Sequence, residues 1–161
     1  MVRRLTSATF AILLALMSAS SVHAQAPDVT TGNQLESARE LYASGNWETA
    51  REAYADAYKN ADENSILKAE AALEWGSLLW EQGDYRNAKI RVADALKRAK
   101  KLKLDHAVGR LLLTQGHIEA SLGKLSDAET TLKICEKMAR DQHDVHFETL
   151  CRINLRFVRQ L

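Results

Sequence analysis

The chain has 161 residues, of which 46% are hydrophobic and 27% are charged, so it is expected to form one globular domain with a well-solvated surface. Its 22 basic and 21 acidic residues nearly cancel, which argues against a nucleic-acid-binding protein because that class carries a strong basic excess. The single proline is Pro27, so the rest of the chain lacks the strongest helix breaker and favours helices throughout.

The first residues are predicted to be a targeting signal. Residues 1–4 are short and positively charged, residues 8–17 are apolar, and small residues around Ala24 offer a cleavage site. We therefore predict a signal peptide over residues 1–24 and a periplasmic or secreted mature protein. The apolar run is about half the length of a membrane span, so no stable membrane insertion is expected after cleavage. The alternative is an N-terminal anchor that stays uncleaved.

The mature chain is predicted to consist of a short leader and a helical domain. Residues 25–33 are polar and turn-rich, which predicts a flexible leader. Residues 34–161 are predicted to form a helical domain. Its seven helices are expected at residues 34–44, 47–60, 64–82, 85–101, 105–122, 126–140 and 144–161.

A short motif recurs three times along this domain. It begins at Gly45, Gly83 and Gly123 and continues with a polar residue, a large apolar residue, two variable residues and an alanine. The glycines recur at a spacing of about 40 residues, a period typical of stacked helix pairs. Each glycine is expected to end one helix in a left-handed conformation. Asn46 and Asp84 are expected to cap the next helix, whereas in the third copy Ser126 with Glu129 is predicted to form a capping box.

Apolar and small residues follow each glycine at the three- and four-residue spacing of an amphipathic helix. These stripes are Trp47, Ala50, Tyr54, Ala57 and Ala61; Tyr85, Ala88, Val92, Ala95 and Ala99; and Leu125, Ala128, Leu132, Cys135 and Ala139. The small residues Gly76 and Gly116 precede two of the turns at matching distances and predict close approach of the paired helices.

The segments LYASGNWETAREAYADA, WGSLLWEQGDYRNAKIRVADA and TQGHIEASLGKLSDAETTLKIC resemble the tetratricopeptide repeat. The resemblance covers roughly residues 34–140 and implies an all-α solenoid of about three antiparallel helix pairs. The period here is longer than the family's by about one helical turn, the closing proline is absent, and Glu119 stands where the family prefers a large apolar residue. The last helix has an apolar side and an arginine-rich side, which predicts a C-terminal capping helix.

The resemblance also implies that the first helix of each pair contributes to a concave surface that binds a peptide. Carried onto this chain, the candidate peptide-binding residues are Arg39, Tyr42, Leu73, Ser77, Trp80, Arg110, Leu113 and His117. Tyr42 and Trp80 are expected to act as anchors, and Arg39 and Arg110 to bind a carboxylate through two hydrogen bonds. The alternative is that the aromatic and leucine side chains pack in the core.

The two cysteines, Cys135 and Cys151, flank the turn between the last two helices. Antiparallel helices bring such positions together, and an oxidising compartment favours pairing, so a disulfide is predicted. His143 and His146, with His117, offer imidazoles for a metal, but no further ligand stands at a fixed offset, so polar residues at a helix start are the preferred interpretation. A basic run at residues 97–103 is interpreted as a solvated helix end, with an anionic partner as the alternative.

The sequence contains no phosphate-binding loop, nucleophile motif or cysteine-rich metal motif. It therefore predicts neither an enzyme nor a cofactor, but an exported adaptor that binds a peptide segment or a subunit of a larger assembly. Two alternatives stay open: a structural subunit that associates with copies of itself, and a metal-binding module that uses the histidines and a cysteine.

Overall fold

The structure, a computed structural model, describes residues 29–161. Within that range the chain forms seven α-helices and no strand. They are α1 (Val29–Ala43), α2 (Trp47–Asn60), α3 (Ile66–Glu81), α4 (Tyr85–Lys101), α5 (Asp105–Ser121), α6 (Leu125–Asp141) and α7 (Val145–Val158). The predicted signal peptide of residues 1–24 and residues 25–28 of the predicted leader lie outside the described residues.

Each helix packs against the next along the chain, so α1–α2, α3–α4 and α5–α6 form antiparallel pairs and α7 follows them. The predicted all-α architecture of three tandem helix pairs and a seventh helix is confirmed. α1 also contacts α3, and α3 contacts α5, so the first helices of the pairs lie side by side. Across residues 29–161, none of the helices is both long enough and apolar enough to span a bilayer.

The main difference from the predicted boundaries lies at the start of the domain. α1 begins at Val29, ahead of the expected position 34. Residues 29–33, assigned to the leader from the sequence, are therefore helical. Thr31 is buried together with Leu35 one turn later, so packing extends the helix toward its N-terminus.

The three glycine turns are as predicted. Gly45, Gly83 and Gly123 have φ angles of 79°, 81° and 71° and follow the ends of α1, α3 and α5. At the first turn, the amide of Gly45 donates to the carbonyl of Tyr42 and the amide of Asn46 donates to that of Leu41, which is the Schellman pattern. The α4–α5 and α6–α7 turns have the same pattern with Lys103 (φ 57°) and His143 (φ 58°) in the glycine position.

The predicted helix caps are only partly correct. Asp84 accepts a hydrogen bond from the amide of Asn87 at 3.3 Å and caps α4 as expected. Asn46 makes no such bond, and its side-chain amide nitrogen donates to the Ser44 hydroxyl. The capping box at Ser126 is also wrong: the Gly123 turn starts α6 at Leu125, which places Ser126 inside the first turn of the helix.

The core is formed by the predicted stripes, which are buried along α2, α4 and α6 apart from the exposed Trp47 and the half-buried Tyr85 and Leu125. Glu119 is buried at its apolar family position. Its carboxylate accepts hydrogen bonds from the Thr131 hydroxyl and the Gln115 side-chain amide, both at 2.7 Å. These two donors compensate the loss of water around the charge.

α7 does not divide into one apolar and one charged side as predicted. It packs on α6 through Cys151, Leu155 and Val158, which are buried. A second row of apolar residues, Leu150, Ile153, Phe157 and Leu161, is exposed. Two arginines pair with carboxylates of α6 rather than facing only water. Arg152 of α7 donates to Glu136 at 3.0 Å, and Arg159, directly after the helix, donates to Glu129 at 2.9 Å.

Candidate binding face

Side chains of α1, α3, α5 and α7 form one face of the stack, which we call the odd-helix face. Hydrogen bonds join each of these helices to the next odd-numbered one, although the two are not adjacent in sequence. The joined pairs are Arg39–Glu74 and Tyr42–Glu81 between α1 and α3, Trp80–Ser121 between α3 and α5, and His117–Asn154 between α5 and α7. Most of the predicted peptide-binding residues lie on this face.

Arg39 is the most strongly bound of these residues. Its guanidinium donates from Nη2 to Oε1 of Glu74 at 2.7 Å and from Nε to Oε2 of Glu74 at 3.0 Å. Glu36 lies 3.1 Å away and Glu70 3.6 Å away. The hydrogen bond to Glu74 is the main reason why the pKa of Arg39 is raised. Arg39 therefore holds α1 against α3, and its predicted contact with a partner's carboxylate stays a prediction.

Tyr42 lies one turn further along α1 and remains exposed. Its hydroxyl donates to Oε2 of Glu81 at 2.7 Å, and this hydrogen bond, with a smaller effect of burial, raises the pKa of Tyr42. The ring is thus held at the edge of the face with one side open. That geometry suits an aromatic contact for a bound segment.

Trp80 and His117 form a stacked pair between α3 and α5. Their ring centroids are 5.2 Å apart and the planes differ by 22°. Trp80 Nε1 donates to the Ser121 hydroxyl at 3.0 Å, and His117 Nε2 lies 2.7 Å from Oδ1 of Asn154. Both side chains are half-buried. Trp80 therefore packs partly against the core, as the alternative interpretation expected, and its role as an anchor for a bound peptide stays a prediction.

Arg39, Tyr42, Ser77 and Arg110, with the largely buried Leu73, come together around one cavity of about 250 Å³ between α1, α3 and α5. Five of the eight predicted residues thus line a single groove. Arg110 is exposed and has no ion pair among the described residues, so its guanidinium is free for a partner. Leu113 is not part of this cavity, since it packs toward the C-terminal core beside Leu155.

A larger cavity, of about 610 Å³, adjoins the first one and was not predicted from the sequence. It lies near the N-terminal ends of α3 and α5 and shares Leu73 with its neighbour. Its apolar lining includes Ile66, Ala69, Ala107 and Leu111. The two small alanines are the only sequence signal for this space, and the signal is weak because alanine is also common in tightly packed helices.

The residues considered for metal binding are dispersed. The sulfurs of Cys135 and Cys151 lie at bonding distance, with Cα atoms 5.9 Å apart, and both residues are fully buried. His143 forms the α6–α7 turn, whereas His117 lies on the odd-helix face. Across residues 29–161, no three histidine, cysteine or acidic side chains converge in a way that suits a metal ion.

The basic run at the end of α4 is partly occupied by contacts within the chain. Arg98 donates to Asp94 at 2.7 Å and pairs with Glu63, and Lys101 donates to the Asn64 side chain at 2.6 Å. These bonds attach the α2–α3 loop to α4. Part of the run is therefore structural, and Arg98 differs from the predicted solvated helix end because its side chain is largely buried and paired with Asp94 and Glu63.

No family model matches the chain, and no curated protein matches its sequence. Solved structures do resemble it. PcrH from Pseudomonas aeruginosa matches over 83% of this chain and 95% of its own, with a TM-score of 0.65 and 16% identity. BtubC (BKLC) from P. vanneervenii matches over 87% of this chain and 67% of its own, with a TM-score of 0.56 and 16% identity. This chain therefore has a helical-repeat fold of the tetratricopeptide kind.

Proposed function

We propose that this protein is an exported adaptor that binds a polypeptide segment of a partner protein on its odd-helix face. The observation that carries the proposal is the groove between α1, α3 and α5, where Tyr42, Ser77 and Arg110 surround one cavity. The Tyr42–Glu81 and Arg39–Glu74 hydrogen bonds between α1 and α3 hold this part of the groove in place before any partner arrives. Such preorganisation lowers the entropy cost of binding.

The groove offers contacts typical of peptide recognition rather than of catalysis. Arg110 supplies an exposed guanidinium, Tyr42 an aromatic edge and Leu73 an apolar floor. The likeness in fold to PcrH and BtubC supports a repeat scaffold of the kind that presents such a surface.

The test is site-specific photocrosslinking in the native host. A photoreactive amino acid replaces Ser77 in the groove, and in a second protein it replaces Arg86, an exposed residue of α4 away from the groove. We expect a discrete crosslinked polypeptide from position 77 only. The same captured species must be lost in a Tyr42→Ala variant, because that substitution removes the aromatic side chain at the groove's edge.

Equal capture from positions 77 and 86, or capture that is unaffected by Tyr42→Ala, contradicts the proposal. Export is tested separately by intact-mass measurement of the protein recovered from its host. A mass equal to that of a chain beginning at Gln25 supports cleavage after Ala24. A mass that retains Met1 supports the uncleaved anchor instead.

A further inference from the structure

The exposed apolar row on α7 has no cover among the described residues. Leu150, Ile153, Phe157 and Leu161 are 39%, 59%, 60% and 66% exposed. The spacing of three and four residues places Leu150, Ile153 and Phe157 on one side of α7, and Leu161 follows three residues after the helix ends at Val158. The opposite side of α7 is already buried against α6 through Cys151 and Leu155. α7 therefore has two apolar sides, and only one of them packs in the core.

The repeat register assigns this row to the odd-helix face. The left-handed turn residues Lys103 and His143 hold equivalent places before α5 and α7, so the two helices can be aligned position by position. In that alignment the four exposed apolar residues correspond to Arg110, Leu113, His117 and Ser121 of α5. The contact of His117 with Asn154 at 2.7 Å places α7 beside α5 on that face. The apolar row is thus a continuation of the candidate binding face.

The same face is acidic at its other end. α1 and α3 contribute Glu36, Glu70, Glu74 and Glu81, and the guanidiniums on the face are those of Arg39 and Arg110. Four carboxylates against two guanidiniums leave an acidic excess, concentrated on α3. From α3 to α7 the face therefore changes from acidic to apolar.

Resting on the proposed function above, we propose that the bound segment is amphipathic, with large apolar side chains that contact α7 and lysine or arginine side chains that contact α3. The basic side chains complement the carboxylates of α3, and the apolar side chains remove the exposed α7 row from water. Packed helices lie about 8–10 Å apart, so α3 and α7 are separated by about 18 Å. A helical segment of roughly 12 residues covers that distance.

A second copy of this chain is a poorer occupant of the row. Besides its apolar row, α7 presents Arg156, which has no ion pair among the described residues, whereas its one carboxylate, Glu148, is already paired with Arg140 and Arg152. Two α7 helices laid side by side would bring together like charges, which disfavours the pairing.

The test uses a fluorescein-labelled synthetic peptide that, as a helix, is long enough to span α3 to α7. The peptide has leucines on one helical face of its first half and lysines in its second half. Fluorescence anisotropy measures its binding to the purified protein. We expect Phe157→Asp and, separately, Ile153→Asp to weaken binding about tenfold. The matched control is Ile134→Asp on α6, since Ile134 is 52% exposed but lies off the face, and it should leave affinity unchanged. Glu70→Lys should weaken binding and reduce its dependence on salt.

Several results would overturn the inference: no binding of the peptide to the wild-type protein, equal effects of the α7 variants and Ile134→Asp, or unchanged binding in both α7 variants. Ser77→Trp, which fills the groove, separates the two proposals. If only Ser77→Trp loses binding, the peptide binds in the groove and the α7 contact is rejected. If only the α7 variants lose binding, the α7 contact is supported and binding in the groove is rejected. A photoreactive residue at position 157 identifies the occupant, and crosslinks to another copy or to residues 1–28 instead of the peptide also overturn the inference.

Discussion

A methyl group on Gly76 would lie 2.7 Å from Cγ2 of Val92, so α3 and α4 approach each other at a distance that only glycine permits. We expect Gly76→Ala to lower the free energy of unfolding by about 1–3 kcal/mol, because the backbone nitrogen of Val92 also lies 3.3 Å away. Urea unfolding measures the change. Gly32→Ala in α1 is the control, since its methyl group meets open space and is expected to stabilise the helix by up to about 1 kcal/mol.

Joining Cys135 to Cys151 links α6 to α7 across a sequence separation of 16. A closed loop of that length restricts the unfolded chain and contributes about 3 kcal/mol. Replacing both cysteines with alanine should lower the free energy of unfolding by that amount plus a smaller loss of packing. Adding a reductant should destabilise the wild-type protein and leave the variant unchanged. A wild-type protein that is insensitive to reductant in the unfolding experiment would argue against the bond.

Asp94 links α2 to α4, because its carboxylate accepts hydrogen bonds from Arg98 at 2.7 Å and from the Tyr58 hydroxyl at 2.9 Å. Burial works to raise the pKa of Asp94, but these two bonds hold the pKa below its ordinary 3.8. Because the pKa of Asp94 is lower in the folded state than in the unfolded state, its carboxylate stabilises the fold at every pH above the unfolded-state pKa. This contribution is lost as the pH falls through the folded-state pKa.

We therefore expect the Tm of the wild-type protein to fall as the pH drops below about 4. Asp94→Asn should lower the Tm at pH 7 and reduce the further loss in acid. Thermal unfolding followed by circular dichroism between pH 2 and pH 7 measures both effects. Asp56→Asn, at an exposed position on α2, serves as the control and should parallel the wild type. Parallel curves for Asp94→Asn would show that its hydrogen bonds contribute nothing.

The buried carboxylate of Glu119 depends on the Thr131 hydroxyl. Thr131→Val removes that donor while nearly preserving shape, so the free energy of unfolding should fall by about 1–3 kcal/mol. A Glu119→Leu/Thr131→Val double variant should recover most of the loss, because no buried charge is then left without its partner. A double variant that is less stable than Thr131→Val alone would contradict this account.

The fold followed from local signals. Gly45, Gly83 and Gly123 indicated their turns because glycine adopts positive φ without steric cost. Lys103 and His143 form turns of the same geometry and gave no such signal. For a side chain with a Cβ atom this conformation costs about 1–2 kcal/mol, and the packing of the flanking helices offsets it. The conformation of those two turns depends on tertiary packing, which is not visible in a single sequence.

The candidate site was predicted less completely than the fold. The repeat register placed Tyr42, Ser77 and Arg110 on one face, but it gave no sign that Arg39 is bound by Glu74, since the two residues are 35 positions apart. The outward row of α7 was missed for a different reason. Two apolar rows lie on one helix, and periodicity alone does not say which of them faces the core.

The hydrogen bonds that join successive odd-numbered helices also bear on the shape of the whole stack. They connect helices that are neighbours in space but not along the chain, and so they limit how far one repeat can rotate relative to the next. Because Tyr42 and Glu81 border the groove, a ligand that replaces the hydrogen bond between them would also release a restraint on the superhelix. Occupancy and curvature would then be thermodynamically linked, each altering the other by the same free energy.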